Sequence, residues 1–386
     1  MGSTVAPDGL TLETISSAES FAPLHQDWDL LVRAMPRPSP MLLHGWLREW
    51  WRHYGENGDL AVHVAYRDGR LVGALPLCVR SRFGLRILTF LGGSQSALAD
   101  ILVAPGEDFA TGTALAGRIA SSDHDFADLF GLPGGSRLTY ALGDSQLHLV
   151  ERAEAPVLDI EGDWDDVYRA KMTGKKRGQD RRRRRNLAMH GKIEVAIART
   201  RNELTAALED AFVLHTLRWK GRPDGSQFGT PTGMRFHRAA ILALADVDVP
   251  RIVTLKLDGR AIAFHYFFAL ERRMYVHRIA FDPDPAFARC SPGWLNTLDT
   301  IEAAAGEGAK RVEFLGGADR YKVGLSDRFE PLYEGFGLPG SLRGAAAARA
   351  RVEAIQLRKT LKRSEALRHF YFDGLAPARR LLGRLT

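Results

Sequence analysis

Met274-Tyr275-Val276-His277-Arg278-Ile279-Ala280-Phe281 is followed, after seven residues, by Arg289-Cys290-Ser291-Pro292-Gly293-Trp294. The first run is rich in β-branched and aromatic residues and predicts a strand. The second predicts a helix start, because Ser is a preferred N-cap and Pro a preferred first helical residue. Trp294, Leu298, Ile301 and Ala305 then recur at helical spacing and extend that helix over 291–305. A helix N-terminus offers free N–H groups and partial positive charge. Gly293 removes a side chain where an anion would approach, and Arg289 adds a cation, so the segment predicts a phosphate site at Arg289–Gly293. A plain structural cap would use the same residues.

Outward from this unit, the chain reads as strands and helices in mixed order. Segments 251–257 and 261–270 form a hairpin across Asp258-Gly259, and 60–66 pairs with 71–79 across Asp68-Gly69. Helices are predicted over 40–54, 111–120, 202–219 and 234–244, and further strands over 85–91, 126–130, 192–198 and 311–314. A long helix over 163–189 is interrupted in propensity by Gly174 and Gly178. The stretch before it is a polar connector. Asp-Gly-Arg recurs at 68–70 and 258–260, and Phe-Leu-Gly-Gly at 90–93 and 314–317, but the spacing between the two motifs differs. The fold class is therefore α/β with a mixed sheet, in two halves: 10–160, 161–340, and a helical tail at 341–386.

The 386 residues, 45% hydrophobic and 26% charged, suit two domains with sizeable cores. Two distant cysteines, Cys78 and Cys290, give neither a disulfide framework nor a zinc spacing, which fits a reducing, cytoplasmic compartment. No secretory leader and no membrane-length apolar run is evident. The net charge of +7 is uneven. Eleven Arg and Lys against three acidic residues in 341–386 leave the tail at +8 and the body close to neutral. A second cluster comprises Lys175, Lys176, Arg177 and Arg181 to Arg185. Such blocks fit an anionic membrane surface, nucleic acid or a phosphorylated substrate, or a solvated helix face. The tail's Val352, Ile355, Leu357 and Leu361 allow docking on the body or lying on a bilayer.

Candidate chemistry lies in three places. His265 and His277 share parity on adjacent strands, so an even register puts them on one face as a base and its partner; two core histidines are the plainer alternative, as for His215. Asp319-Arg320-Tyr321-Lys322 follows a strand end, where α/β sheets place ligands. There Asp319 would serve as base, Tyr321 as acid for a leaving thiolate, and Lys322 as a phosphate or carboxylate partner. Cys290 is a conceivable nucleophile without supporting neighbours. No metal-ligand spacing, Walker loop, nucleophile elbow or Gly-x-Gly-x-x-Gly is present.

The set Leu257 to Arg260 with Ala263-Phe264, then 275–282, Arg289 to Gly293, and Phe314 to Gly317 with Asp319, Tyr321 and Lys322 resembles the GNAT-like acyltransferase domain of the CelD/BcsL group. That group is similar in turn to the Fem-type double-GNAT transferases. Trp50-Trp51, Asp68 to Gly73, Pro76-Leu77 and Phe90 to Gly93 echo it in the first half. The resemblance implies two tandem GNAT-like domains, the second catalytic, and acyl-CoA as donor with no metal. The pyrophosphate would lie on Arg289, Ser291 and Gly293 with Lys322 nearby, and the pantetheine along the strand with Arg278, Ala280 and Phe281. Catalytic candidates are His265, His277, Asp319 and Tyr321. The usual phosphate turn, Gln/Arg-x-x-Gly-x-Gly/Ala, meets Ala288 at its basic position and Ser291 at its first glycine. The resemblance also implies a small-molecule or glycan-precursor acceptor. Transfer from charged tRNA and a non-catalytic nucleic-acid or membrane module are the competing expectations, nucleic acid being the less favoured partner.

Overall fold

A computed structural model describes residues 4–5, 9–143, 146–220, 226–317 and 319–363. The part of the expected basic helical tail beyond Arg363 lies outside the described residues. The strands join in one mixed sheet. From one edge run Leu10–Ile15, Gly58–Arg67, Arg70–Arg82, Leu85–Phe90 and Phe126–Pro133; from the other run Ile193–Ala198, Pro250–Leu257, Arg260–Leu270, Arg273–Phe281 and Arg311–Glu313. All pairs are antiparallel except two, one in each half. Ile87 lies opposite Phe126 in parallel, and Met274 opposite Val312.

Two strands that the sequence pattern did not reveal close the gap between the halves. Leu147–Asp159, expected as a polar connector, is a thirteen-residue strand, and Arg328–Gly337 pairs along it from Arg328–Val157 to Gly337–Leu147. The strand from the second half also pairs with Phe126–Pro133 of the first, and the strand from the first half pairs with Arg311–Glu313 of the second. Each half's parallel strand is thus flanked by a strand from the other half. Buried Glu313 adds a polar tie, accepting from Arg37 at 2.7 Å and Arg273 at 3.0 Å.

The internal echo is real in the hairpins. Asp68 and Gly69, like Asp258 and Gly259, all have positive φ, as a two-residue turn of this type requires. Val72 and Ile262, each four residues beyond the turn aspartate, are both the extra residue of a β-bulge. The Phe-Leu-Gly-Gly echo is not a positional one. Phe90 ends the strand after the hairpin, whereas Phe314 follows the next strand in the parallel pair, which accounts for the unequal spacing.

Helices cover both faces. Arg201–Trp219 starts in a capping box of Thr200 and Glu203, and Pro231–Ala245 starts at Thr230 with Pro in the first turn. They pack with His44–Tyr54 of the first half in a core containing Trp46, Phe236 and Phe268. Pro292–Gly306 covers the opposite face over Val253, Phe267 and Val276. The expected helix over 163–189 is two, Trp164–Lys171 and Gly174–Ala188, broken at Met172; the side chain of Thr173 caps the second. The glycines do not interrupt it. The described part of the tail docks on the sheet. Leu342–Arg363 buries Ala348, Val352 and Ile355 against Phe126, Val150 and Phe336, while Leu357 stays exposed.

The strand exchange predicts a single cooperative unfolding transition for the full chain, and no stable fold for residues 161–340 expressed alone; calorimetry of both checks this. Under the tail helix, burial and then the charge of Glu334 hold the Asp128 carboxyl well above the usual range, against the lowering effect of Arg351 and Arg152. The folded state then binds the extra proton between the unfolded and folded values, so this contribution falls as pH rises toward neutrality. Asp128→Asn should therefore gain stability relative to the parent between about pH 4 and about pH 8, read from paired thermal melts.

Candidate active site

The parallel pair in each half separates after its first residues, leaving a notch. In the first half the notch is filled by the chain itself. Ala99 donates to Gly131 O at 2.9 Å, Ser39 Oγ holds Leu98 O at 2.7 Å, and Ser96, Leu98 and Ala99 are buried. Gly131, at φ 88°, leaves room for them: a Cβ there would stand 3.0 Å from the Ser96 and Ala97 carbonyls. In the second half, pairing with Arg311–Glu313 stops at Tyr275. Among the described residues no strand pairs with that edge of 276–281, so its backbone groups are outside the sheet's ladder there.

The helix start lies beside this edge, as the sequence predicts, but two of its residues act differently. Ser291 makes no side-chain cap; it takes the left-handed conformation, φ 52° and ψ 58°, which the glycine of the usual turn would adopt freely. Gly293 leaves space for an aromatic ring rather than an anion: a Cβ would meet Phe281 Cδ1 at 2.6 Å. The N–H groups of Cys290 and Ser291 donate to Phe287 O and Ala288 O, so part of the turn's donor capacity is used locally. Arg289 is exposed beside the turn, and the Arg218 guanidinium lies 4.0 Å from the Phe281 ring centroid. Arg218 had no sequence signal, since its contact joins a helix to a strand far along the chain.

Tyr321 reaches the same place from the short helix Arg320–Val323, its ring 6.5 Å from that of Trp294. Its hydroxyl is buried without a protein partner, and burial, with the Asp319 charge, raises its pKa above the ordinary tyrosine value. It is a protonated donor near neutral pH. Lys322 is buried, donates to Gly316 O at 3.0 Å and sits 3.4 Å from Asp319 Oδ2; burial lowers its pKa. It braces the loop instead of reaching for phosphate. Asp319 itself is exposed.

The two histidines do not meet. Tyr266 pairs with Arg278 and Phe267 with Val276, so His277 is the extra residue of a bulge and parity fails across it. His277 packs on Trp46, Tyr266 and Phe268, whereas His265 lies with Phe267 on the opposite face. Burial, then the charge of Lys322, pushes His265 down to about 3, making it a poor base. Arg278 also leaves the turn: its side chain points into the crevice between the halves, donating to Gln95 Oε1 at 3.1 Å. Ala280 is core, and the Cys290 thiol is buried with its pKa raised by that burial.

The basic cluster is anchored beside this site. Buried Asp180 accepts from Trp294 Nε1 at 2.9 Å, Tyr168 Oη at 2.8 Å and Arg183 at 2.9 Å, and Arg184 pairs with Asp299. An open cavity of about 810 Å³ lies between this helix and Pro292–Gly306, lined by Arg177, Arg181, Arg184 and Arg185 together with Asp165, Asp180, Asp299 and Glu302.

Residues 174–323 match the acetyltransferase (GNAT) domain family. No curated protein matches the chain. Among solved structures, FemX shares the fold with a TM-score of 0.56 at 12% identity, over 81% of this chain and 95% of that one. The C-terminal domain of a protein assigned as a lysylphosphatidylglycerol synthetase from Agrobacterium fabrum matches with a TM-score of 0.55 at 12% identity, over 87% and 97%. A protein of unknown function from Bacteroides thetaiotaomicron gives 0.53 at 14%, over 84% and 100%. The chain has the GNAT acyltransferase fold in tandem form. The narrower CelD/BcsL likeness is not carried by these matches. No group of three or more His, Cys, Asp or Glu is placed to hold a metal among the described residues, nor is any helix there long and apolar enough to cross a membrane.

Two substitutions separate conformation from packing at the turn. Ser291→Gly should raise stability by up to about 1 kcal/mol by relieving the left-handed strain. Gly293→Val should cost about 1–3 kcal/mol through the Phe281 contact. Denaturant melts decide, and a Gly293→Val variant as stable as the parent would remove that contact as the reason for glycine.

Proposed function

We propose that the protein is an acyltransferase that moves an acetyl or other acyl group from acyl-CoA to an amine or hydroxyl acceptor. The observation that carries this is the unpaired strand edge of 276–281, with the Ser291 turn and the protonated Tyr321 close together beside Trp294 and Phe281. An extended pantetheine arm would add to that edge as a further strand. Tyr321 would return its proton to the departing thiolate. No side chain in the notch has the environment of a strong base, so the acceptor would lose its proton through water or after attack, and catalysis would rest mainly on positioning. The CelD/BcsL resemblance favours a glycan or cell-envelope precursor as acceptor. Cysteine usage favours work on the cytoplasmic side, and the charge of the basic tail favours a contact to anionic lipid.

A second reading takes an aminoacyl group from charged tRNA. It is favoured by the basic helix Gly174–Ala188, whose arginines line a cavity adjoining the turn. Calorimetry with acetyl-CoA and longer acyl-CoAs separates the two. Saturable acyl-CoA binding supports the first; its absence, with RNA binding whose affinity falls steeply with salt, supports the second. With a competent acyl donor, Tyr321→Phe should lower kcat about a hundredfold or more while leaving donor affinity unchanged. Equal loss of donor affinity would show that Tyr321 binds rather than protonates.

A further inference from the structure

The bulge at His277 turns Arg278 into the crevice between the halves, on the face of the open strand opposite Pro292–Gly306. There one guanidinium nitrogen donates to the carbonyl of His277 and the other to Gln95 Oε1, while Nε is buried without a partner. No carboxylate among the described residues pairs with this cation. Around it, Tyr266 Oη, His277 Nε2 and both ring nitrogens of His237 are also buried and unpartnered, and Tyr54 Oη is buried close to Gln95. His237 and Tyr266 are fully inaccessible, whereas Arg278 is part-exposed and Gln95 donates to the exposed Gln227 at 2.9 Å. Orphaned polar groups at this density are costly, and buried groups of this kind ordinarily have partners. An uncompensated arginine beside them calls for an anion.

We propose that this crevice is the acceptor subsite, and that the acceptor carries a carboxylate which docks on Arg278 and is oriented by Tyr54, Tyr266 and His237. The word acceptor rests on the acyltransferase reading; the carboxylate site rests on the crevice alone. Charge selects carboxylate over phosphate. Among the described residues Arg278 is the one cation within the cluster, since burial first, then the charge of Arg278, keep His237 and His277 neutral, and Arg235, which also acts on Tyr54, is exposed. One cation matches a monoanion, and a planar carboxylate fits the guanidinium edge. Both halves build the site, because Tyr54 and Gln95 come from the first and Arg278, Tyr266 and His237 from the second.

The test uses the full chain, with succinate as the carboxylate probe, succinamide as its neutral counterpart and inorganic phosphate as the competing anion, at constant ionic strength. Calorimetry should show saturable binding of succinate only, weakened at least about tenfold in Arg278→Gln and unaltered in Lys192→Ala at the Asp258 turn. If Arg278→Gln does not fold, Gln95→Ala, which frees the guanidinium from its protein acceptor and loosens its aim, should weaken succinate too. Absence of saturable succinate binding, equal binding in a folded variant, or preference for phosphate would each overturn the proposal. Acetyl-CoA titrated in parallel reports on the donor alone: if it fails to bind, the acyl-CoA reading falls while the succinate result still decides the carboxylate site.

Discussion

The antiparallel pairing of Leu147–Asp159 with Arg328–Gly337 is the constraint on which the molecule depends. A GNAT-like half ends in a parallel pair that separates, and its last strand would otherwise present an open edge. Exchange of the two long strands covers both edges and fuses the halves into one sheet. It also fixes the distance between surfaces that no short loop connects. Gln95 meets Arg278, Arg37 meets Glu313, and the helix His44–Tyr54 packs on Pro231–Ala245 with Gly45 close against Ala243. Were the halves free to move, the buried polar groups of the crevice would be hydrated and lose their arrangement.

The halves share an architecture and differ in their notches. The first is sealed by its own 96–99 segment, and Gly131 is the residue that makes room. The second keeps its strand edge open next to a helix start, a stacked arginine and a protonated tyrosine. The first half then contributes structure: it forms one wall of the crevice and supplies Gln95 and Tyr54. The two halves thus share a plan, but in the first the 96–99 segment makes the corresponding place part of the core.

Much of this was legible in the sequence. Asp68-Gly69 and Asp258-Gly259 locate the hairpins because only certain residues tolerate their backbone. The run from Met274 to Trp294 gives the strand and the helix start. The exchanged strands were hidden because Leu147–Asp159 mixes Arg152 and three acidic residues with apolar ones, and only its second half is buried on both faces. A strand whose partner is distant in the chain has no local turn to announce it. The histidine pairing failed for a different reason: one extra residue at His277 reverses alternation, and a bulge has no reliable sequence mark. Gly293 reads as room for an anion, whereas it makes room for Phe281, a tertiary fact that composition cannot state. Arg278 looked like a donor ligand for the same reason, since the face it takes depends on the bulge beside it.

The order of the exchanged strands along the chain has a consequence for biosynthesis. Leu147–Asp159 leaves the ribosome well before Arg328–Gly337, by roughly ten to thirty seconds at ordinary elongation rates. During that interval the nascent first half carries an unsatisfied sheet margin, and the contacts that would satisfy it have high contact order. Assembly thus waits for the synthesis of Arg328–Gly337, leaving a period in which a chaperone, or a neighbouring nascent chain, competes for the vacant place.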